Sequence, residues 1–412
     1  MPLYVQTLFF DMNSFFASVA QQEEPDLIGR PLGVLTTDAP GAACIAVSVE
    51  AKARGLRMGV RQAEARRICP GIVFRPARHD VCVEYHHAIR EAVEAVLPIE
   101  AAHSVDEFSC QLPGRQQELA AALDTARRVQ DIILRRVGPA MRSSVGVAPN
   151  KLLAKIAAEL EKPSGINWLH PSVLPGKIAH LALRDLPGIS RRMEARLNRA
   201  GINDTAALYA MAPKEARWLW KNVTGERFLR ELHGEKVVWP RTANQSLGHG
   251  QQLVAANRSP EGARLVARRL LVKAAARLRR QGQLAGSLYI GVKCLRHGRC
   301  GWYGEICHTQ DSFVLLRIFE SRWKRLRIER PRSVSVMLGR FVAADRYLGD
   351  LFARRPACEA TARERLCTAI DRLNQRFGQD TVTFGQRPLH HVPYTGAKIA
   401  FQRVPDRREF RE

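Results

Sequence analysis

Two short acidic clusters lie far apart in the chain, Asp11 in LFFDMNSFF and the pair Asp106 and Glu107 in HSVDEF. Each sits where an apolar run ends in a carboxylate, as expected when two strand ends project acids into one cleft. Three carboxylates converging there would hold two Mg2+ ions, because hard cations take oxygen ligands and magnesium usually keeps substrate phosphates as its other partners. Such a set points to two-metal phosphoryl transfer.

The partner of such chemistry is suggested by charge. The chain has 64 Lys and Arg against 40 Asp and Glu, a net +24, an excess typical of polyanion binders. Nucleic acid and an anionic membrane surface both fit it. The membrane reading weakens because no apolar stretch approaches the roughly 18 to 20 residues needed to span a bilayer. The apolar start at Leu8, Phe9 and Phe10 has no basic region before it and is interrupted by Asp11, so a cytoplasmic location is expected, nucleoid-associated when bound to DNA. Nine cysteines without a CxxC suit reduced thiols. Cys294, Cys300, Cys307 and His308 raise a zinc site, but they straddle an apparent hairpin at roughly alternating positions, so ordinary thiols are the better reading.

At 412 residues the chain has room for several domains, and its expected class is α/β (α+β). Residues 3–11 read as a buried strand and 12–22 as a helix. A loop with Pro40 and Gly41 leads to two short helices at 49–57 and 60–68, broken at Gly55 and Gly59. A helix at 82–96, a strand at 104–112, an amphipathic helix at 117–137, a strand at 143–148 and a helix at 150–161 complete a sheet covered by helices. LRDLPGISRRMEARLNRAGINDTAAL, from Leu183, has a glycine turn, a helix, a second turn at Gly201 and a helix capped by Asp204. Such a unit offers backbone N–H groups to a DNA phosphate.

Trp239 and Pro240 open a linker to a second part. From 245 to 342 the order is β-α-β-β-α-β. Its first helix, 259–281, carries Arg264, Arg268, Arg269, Lys273, Arg277, Arg279 and Arg280, a density that self-repels unless a polyanion or solvent screens it. The tail reads as a helix at 359–376 and a last strand near 381–385, ending in a basic, weakly ordered segment.

In this order, FFDMNSFFASV, SVEAKARGLRMG, HSVDEF, SVGVAPNKLLAKIAAELEKPSG and LPGISRRMEARLNRAGI resemble a bacterial Y-family, or translesion, DNA polymerase over nearly the whole chain. The resemblance implies a right-hand polymerase: palm (1–22 and 78–168), inserted fingers (23–77), small helical thumb with helix-hairpin-helix (169–239), little finger (245–342) and a C-terminal tail (343–412). It implies template-directed, low-fidelity synthesis from deoxynucleoside triphosphates on primer-template DNA, using two Mg2+ ions or Mn2+ in their place.

Residue by residue, the resemblance gives Asp11 and Asp106 to both metals, Glu107 to the metal nearest the primer 3′-hydroxyl, and the backbone carbonyl of Met12 as a further ligand. Neighbouring strand side chains point to opposite faces, so Glu107 is expected to reach around the strand edge. Phe16 takes the place of the aromatic steric gate beneath the incoming sugar, excluding a 2′-hydroxyl. Phe15 would pack beside sugar and base or be plain core. Lys52 and Lys162 would bind the triphosphate. Ala46, Val49 and Lys52 stand where many relatives have Thr, Tyr and Arg, removing two hydroxyl donors and a bidentate guanidinium. Lys there is a polymerase V feature, whereas NKLLAKIAAELEKPSG resembles polymerase IV. Asn13 stands where a non-ligand Asp is frequent. Gly59 would lie under the templating base.

Gly188, Gly201, Arg268, Arg269 and Lys273 are the expected DNA phosphate contacts. Tyr347, Leu348, Leu351 and Phe352 resemble a sliding-clamp peptide without its usual Gln. Recombinase or accessory mutagenesis proteins are further partners the family implies. The alternative is a polymerase-like DNA-binding scaffold without catalysis, which its relatives reach by losing acids that this chain retains. A basic two-metal nuclease would need the same acids but no gate helix.

Overall fold

In a computed structural model of the chain, residues 3–36, 41–240, 244–295, 298–347, 357–378 and 380–386 are described, with a few positions beyond. They form two compact units, Met1–Trp239 with Ala397–Arg407, and Pro240–Gly396 with Arg408–Glu412.

The first unit runs β1 (Thr7–Met12), α1 (Phe15–Glu23), β2 (Leu32–Leu35), β3 (Cys44–Val47), α2 (Val49–Ala53), α3 (Gln62–Ile68), β4 (Val73–Pro76), α4 (His79–Glu94), β5 (Ile99–Ala102), β6 (Glu107–Gln111), α5 (Leu119–Arg136), β7 (Ser143–Ala148), α6 (Lys151–Leu160) and β8 (Ile166–Trp168). Helices α7 (Arg191–Arg199), α8 (Thr205–Ala210), α9 (Pro213–Trp220) and α10 (Val223–Leu232) follow. The main sheet has the order β5-β6-β1-β7-β8. Central β1 is antiparallel to both neighbours, β6 and β7.

Alternation along β1 splits its side chains between two cores. Leu8, Phe10 and Met12 join α4 and α5 in one cluster, while Phe9 joins α6 in the other. Gly146 on β7 sets the height of α6: a Cβ there would fall on the Ala154 carbonyl and the Ala158 amide. Only a bare backbone lets the helix sit so close.

Strands β2, β3 and β4 form a separate three-stranded sheet of order β3-β2-β4, where the sequence reading had only a loop and two helices. Each is four residues long, too short for a periodic signal. Helices α2 and α3 lie near the expected positions but are shorter, at five and seven residues.

The second unit contains β9 (Ser246–Gln252), α11 (Pro260–Arg280), β10 (Gln283–Cys294), β11 (Arg299–Thr309), α12 (Ser312–Trp323), β12 (Pro331–Ala343) and α13 (Ala357–Phe377). Its antiparallel sheet, ordered β11-β10-β12-β9, has a β-α-β-β-α-β chain order. C-terminal to β12, one expectation fails. Residues 381–385 are no strand: the Asn374 side chain bonds both backbone groups of Val382, and Phe384 is buried in the core with Cys367 and Ile370. The basic segment expected beyond them lies almost wholly outside the described residues. Ile399 and Val404 pack against the core of the first unit.

The arginines of α11 also differ from expectation, because the unit supplies its own acids. Arg264 and Arg268 share Glu320 at 2.7 and 2.6 Å. Arg269 pairs with Asp380 at 2.8 Å, and the buried Arg279 with Asp371 at 2.7 Å. The helix needs no polyanion to balance these charges.

No helix among the described residues is long and apolar enough to cross a membrane. Cys44, Cys69, Cys82, Cys110, Cys294 and Cys367 are buried free thiols, with Cys300 half-buried and Cys307 exposed. Among the described residues no three His, Cys, Asp or Glu side chains are gathered in a geometry ready for a metal, the acids of the two motifs included.

Candidate active site

The two acidic motifs meet because β1 and β6 are adjacent and antiparallel. Asp11 is the register partner of Glu107, and the Asp106 carbonyl accepts the Met12 N–H at 3.0 Å. Directly opposed residues project to the same face. Glu107 thus stands beside Asp11 without reaching around an edge, which corrects that expectation. It is Asp106, one residue before the ladder begins, that approaches from outside the register. Glu107 opens β6 and Asp106 immediately precedes it, so the second motif lies at a strand end, as the sequence suggested.

Each acid has a local partner. Asp11 accepts from Lys162 at 3.0 Å, and Lys162 also holds Glu159 at 2.6 Å. Glu107 is paired with Lys155 of α6 at 2.5 Å, and the Ser104 hydroxyl donates to Asp106. Burial pushes the Asp11 carboxyl up to about 7, opposed by Lys162 and reinforced by Asp106. Burial also raises Asp106, which Ser104 counters and Glu107 increases. At Lys162, burial lowers the pKa but the Asp11 and Glu159 carboxylates overcome it, leaving it above the usual value. The donor set, three carboxylates and neighbouring carbonyls, is the hard oxygen chemistry that magnesium and manganese prefer. Burial disfavours the charged forms of Asp11 and Asp106, and a divalent cation bound there would favour them. The residues fit such an ion once their side chains turn from Lys155, Lys162 and Ser104.

The surroundings hold these acids in place. Asn13 donates to the Ser144 hydroxyl at 3.0 Å and accepts the Ser164 N–H at 2.8 Å, tying the end of β1 to the loop that carries Lys162. His86, buried beneath the second motif, stacks on Phe108 and donates to the Val105 carbonyl at 2.8 Å. His103 stacks on Phe9, over which Lys155 also lies. Sequence reasoning singled out neither histidine nor Lys155, and gave Asn13 no role. Helical spacing could not have joined Lys155 to Lys162, because α6 ends at Leu160 and Lys162 lies beyond it.

Of the nucleotide residues, Lys52 is exposed along its stem, while its ammonium end is partly desolvated. Burial and Lys162 lower its pKa, opposed by Asp11, so Lys52, Lys162 and Asp11 feel one another across the cleft. Phe16 is half-buried at the start of α1. Phe15 is only 2% exposed, so it belongs to the core and not to the cleft wall. The Met12 side chain is equally buried, leaving its backbone as the available ligand. Ala46 is half-buried against the Phe16 cluster, and Val49 opens α2. Gly59 is exposed, and a Cβ there would meet nothing. Its φ of +90° gives it a backbone reason to be glycine as well.

Gly188 and Gly201 are turns with φ of +95° and +82°, flanking α7, whose cap Ser190 accepts the Met193 N–H. Beyond expectation, this region carries an open groove of about 830 Å³ lined by Arg196, Arg199, Lys214, Arg217, Trp218 and Lys221, with Trp218 79% exposed. By contrast, Arg268 and Arg269 are occupied by Glu320 and Asp380, and Lys273 is half-buried. Tyr347 rests 5.3 Å from the His308 ring, while Leu348, Leu351 and Phe352 lie outside the described residues.

The chain is similar to known proteins over most of its length. Residues 10–159 match the impB/mucB/samB family, and residues 244–351 match that family's C-terminal domain. DNA polymerase IV of Moorella thermoacetica is 33% identical over 406 residues, 96% of this chain and 97% of the relative. DNA polymerase IV of Pelotomaculum thermopropionicum is 37% identical over 197 residues, 48% of each chain. Among solved structures, the Y-family DNA polymerase chimera Dbh-Dpo4(243-245)-Dbh superposes with a TM-score of 0.67 at 21% identity, covering 82% of this chain and 99% of that one. A Dbh insertion ternary complex gives 0.55 at 21% identity, covering 81% and 98%. The chain belongs to the impB/mucB/samB family of Y-family translesion DNA polymerases.

Proposed function

We propose that this polymerase adds deoxynucleotides to a primer 3′-hydroxyl by two-metal nucleotidyl transfer and that its open site copies past lesions. The observation that carries the reading is the register pair of Asp11 and Glu107 with Asp106 beside it, faced by Lys162. In this reading Asp11, Asp106, Glu107 and the Met12 carbonyl would hold two Mg2+ ions, with Mn2+ as a substitute. Bound there, the metals would activate the primer hydroxyl and neutralise charge on the leaving pyrophosphate.

The chain's own residues do the rest. Lys52 and Lys162 take the triphosphate, which suits two ammonium groups already drawn to the same carboxylate. Phe16 stands under the sugar as a steric gate and Gly59 under the template base. On this reading residues 1–22 and 78–168 are palm, 23–77 fingers, 169–239 thumb and 245–342 little finger. Duplex phosphates rest on the turns at Gly188 and Gly201 and on the basic groove beside them. The internal ion pairs of Arg268 and Arg269 make those two side chains poor phosphate contacts. A clamp partner would bind through Tyr347, Leu348, Leu351 and Phe352.

Primer extension by the purified protein on undamaged and abasic templates, with Mg2+ or with chelator, tests the reading. Distributive, Mg2+-dependent extension that continues past the abasic site is expected. Complete inactivity would favour the scaffold alternative.

A further inference from the structure

The ring of Phe16 is held from two sides. Phe15 meets it edge-on with centroids 5.9 Å apart at 74°, and His79 meets it at 5.6 Å and 79°. Both are the T-shaped arrangement that aromatic rings favour, a positive edge against a negative face. The two supports differ in kind. Phe15 is a neighbour on the same helix and is locked in the core at 2% exposure. His79 comes from the first turn of α4, just after β4. Its Nδ1 accepts the Ile399 N–H at 3.5 Å, a long bond reinforced by the packing of Ile399 and Val404 on the same unit's core. An accepting Nδ1 requires the neutral ring with its proton on Nε2. The imidazole is therefore oriented by a backbone group from the far end of the chain.

We propose that His79 is a positioning residue of the sugar gate, and that the C-terminal segment around Ile399 fixes its orientation. The inference rests on the reading of Phe16 as that gate. A half-buried phenylalanine near a helix start has more than one staggered rotamer within reach. A gate that excludes a single hydroxyl works only if its ring cannot swing aside. Phe15 blocks one direction, and His79 with Ile399 behind it blocks the other. Sugar discrimination then depends on a segment that is remote in sequence and touches no substrate.

The test is single-nucleotide insertion of dCTP and rCTP opposite G by the full chain, with melting temperatures measured in parallel. The variants are Phe16→Ala, His79→Ala, His79→Gln, His79→Phe and Ile399→Pro. The readout is the ratio of kcat/KM for the two sugars. His79→Ala and His79→Gln are expected to lower the ratio roughly tenfold, on the scale of one lost aromatic contact, chiefly by a gain in rCTP use. His79→Phe restores the ring but not the acceptor for the Ile399 N–H, so it should recover most of the ratio and fall no further than Ile399→Pro. Ile399→Pro, which removes the N–H that His79 accepts, should lower it about twofold to threefold. If the alanine or proline variant fails to fold, His79→Gln, which keeps the bulk and an acceptor, decides the question. An unchanged ratio in the alanine and glutamine variants, with a collapsed ratio in Phe16→Ala, overturns the positioning role and leaves the gate standing. An unchanged ratio in Phe16→Ala overturns the gate itself. Equal losses in His79→Phe and His79→Ala would also defeat the proposal, since the ring would not be the operative feature.

Discussion

Asn13 shows how much of the site rests on a residue that takes no direct part in it. Its side chain bridges Ser144 on β7 and the Ser164 amide beside Lys162, and it is 4% exposed. Asn13→Ala removes both bonds and should lower unfolding free energy by about 2 to 3 kcal/mol, read by denaturant titration. It should also weaken triphosphate binding, because the Lys162 loop loses its anchor. His86 makes a second prediction. Burial lowers its pKa below the usual 6.5, so its neutral form stabilises the fold. That contribution is present above pH 6.5 and is lost as pH falls through the lower folded value. Wild type should exceed His86→Phe in stability at pH 7.5 and lose that advantage by pH 5, as melting curves at the two pH values would show. An advantage constant with pH would mean that burial does not hold the His86 pKa down. The acids Asp11, Asp106 and Glu107 were legible because carboxylates at apolar run boundaries are rare. The parts played by Lys155, Asn13 and His86 were not, because each acts on a residue brought near only by the sheet.

Among the elements, those with long periodic patterns could be read. Helices α4, α5, α6 and α11 lie close to their expected bounds, since 10 or more patterned residues outweigh local noise. The three-stranded sheet was not legible, because four-residue apolar runs look like loop or helix fragments. The α11 arginines misled for a different reason. Their partners Glu320, Asp371 and Asp380 are distant in sequence, so the helix looked unbalanced when its domain already neutralises much of it. The close seat of α6 on β7 carries its own prediction. Gly146→Ala must push the helix off the strand and should cost about 3 kcal/mol. It should reduce nucleotide insertion too, because a displaced α6 carries with it the loop that follows it and holds Lys162. Normal melting and normal insertion together would show that α6 tolerates the shift.

Across the whole molecule, the net charge of +24 makes affinity for DNA a matter of many phosphate contacts. Raising salt from about 50 to 200 mM should weaken primer-template binding by orders of magnitude. Anisotropy titrations across that range check it, and a salt-independent dissociation constant would contradict it. On the proposed reading affinity and chemistry are separable, since cations would hold the duplex while three carboxylates would hold the metals. The most direct measurement of that separation is single-nucleotide addition by Asp106→Ala beside wild type in Mg2+, with primer-template affinity measured on the same samples. The account predicts near-complete loss of addition with affinity almost unchanged. Addition persisting at more than a few percent of the wild-type rate, on the scale where one lost metal ligand should cost several kcal/mol, would contradict it.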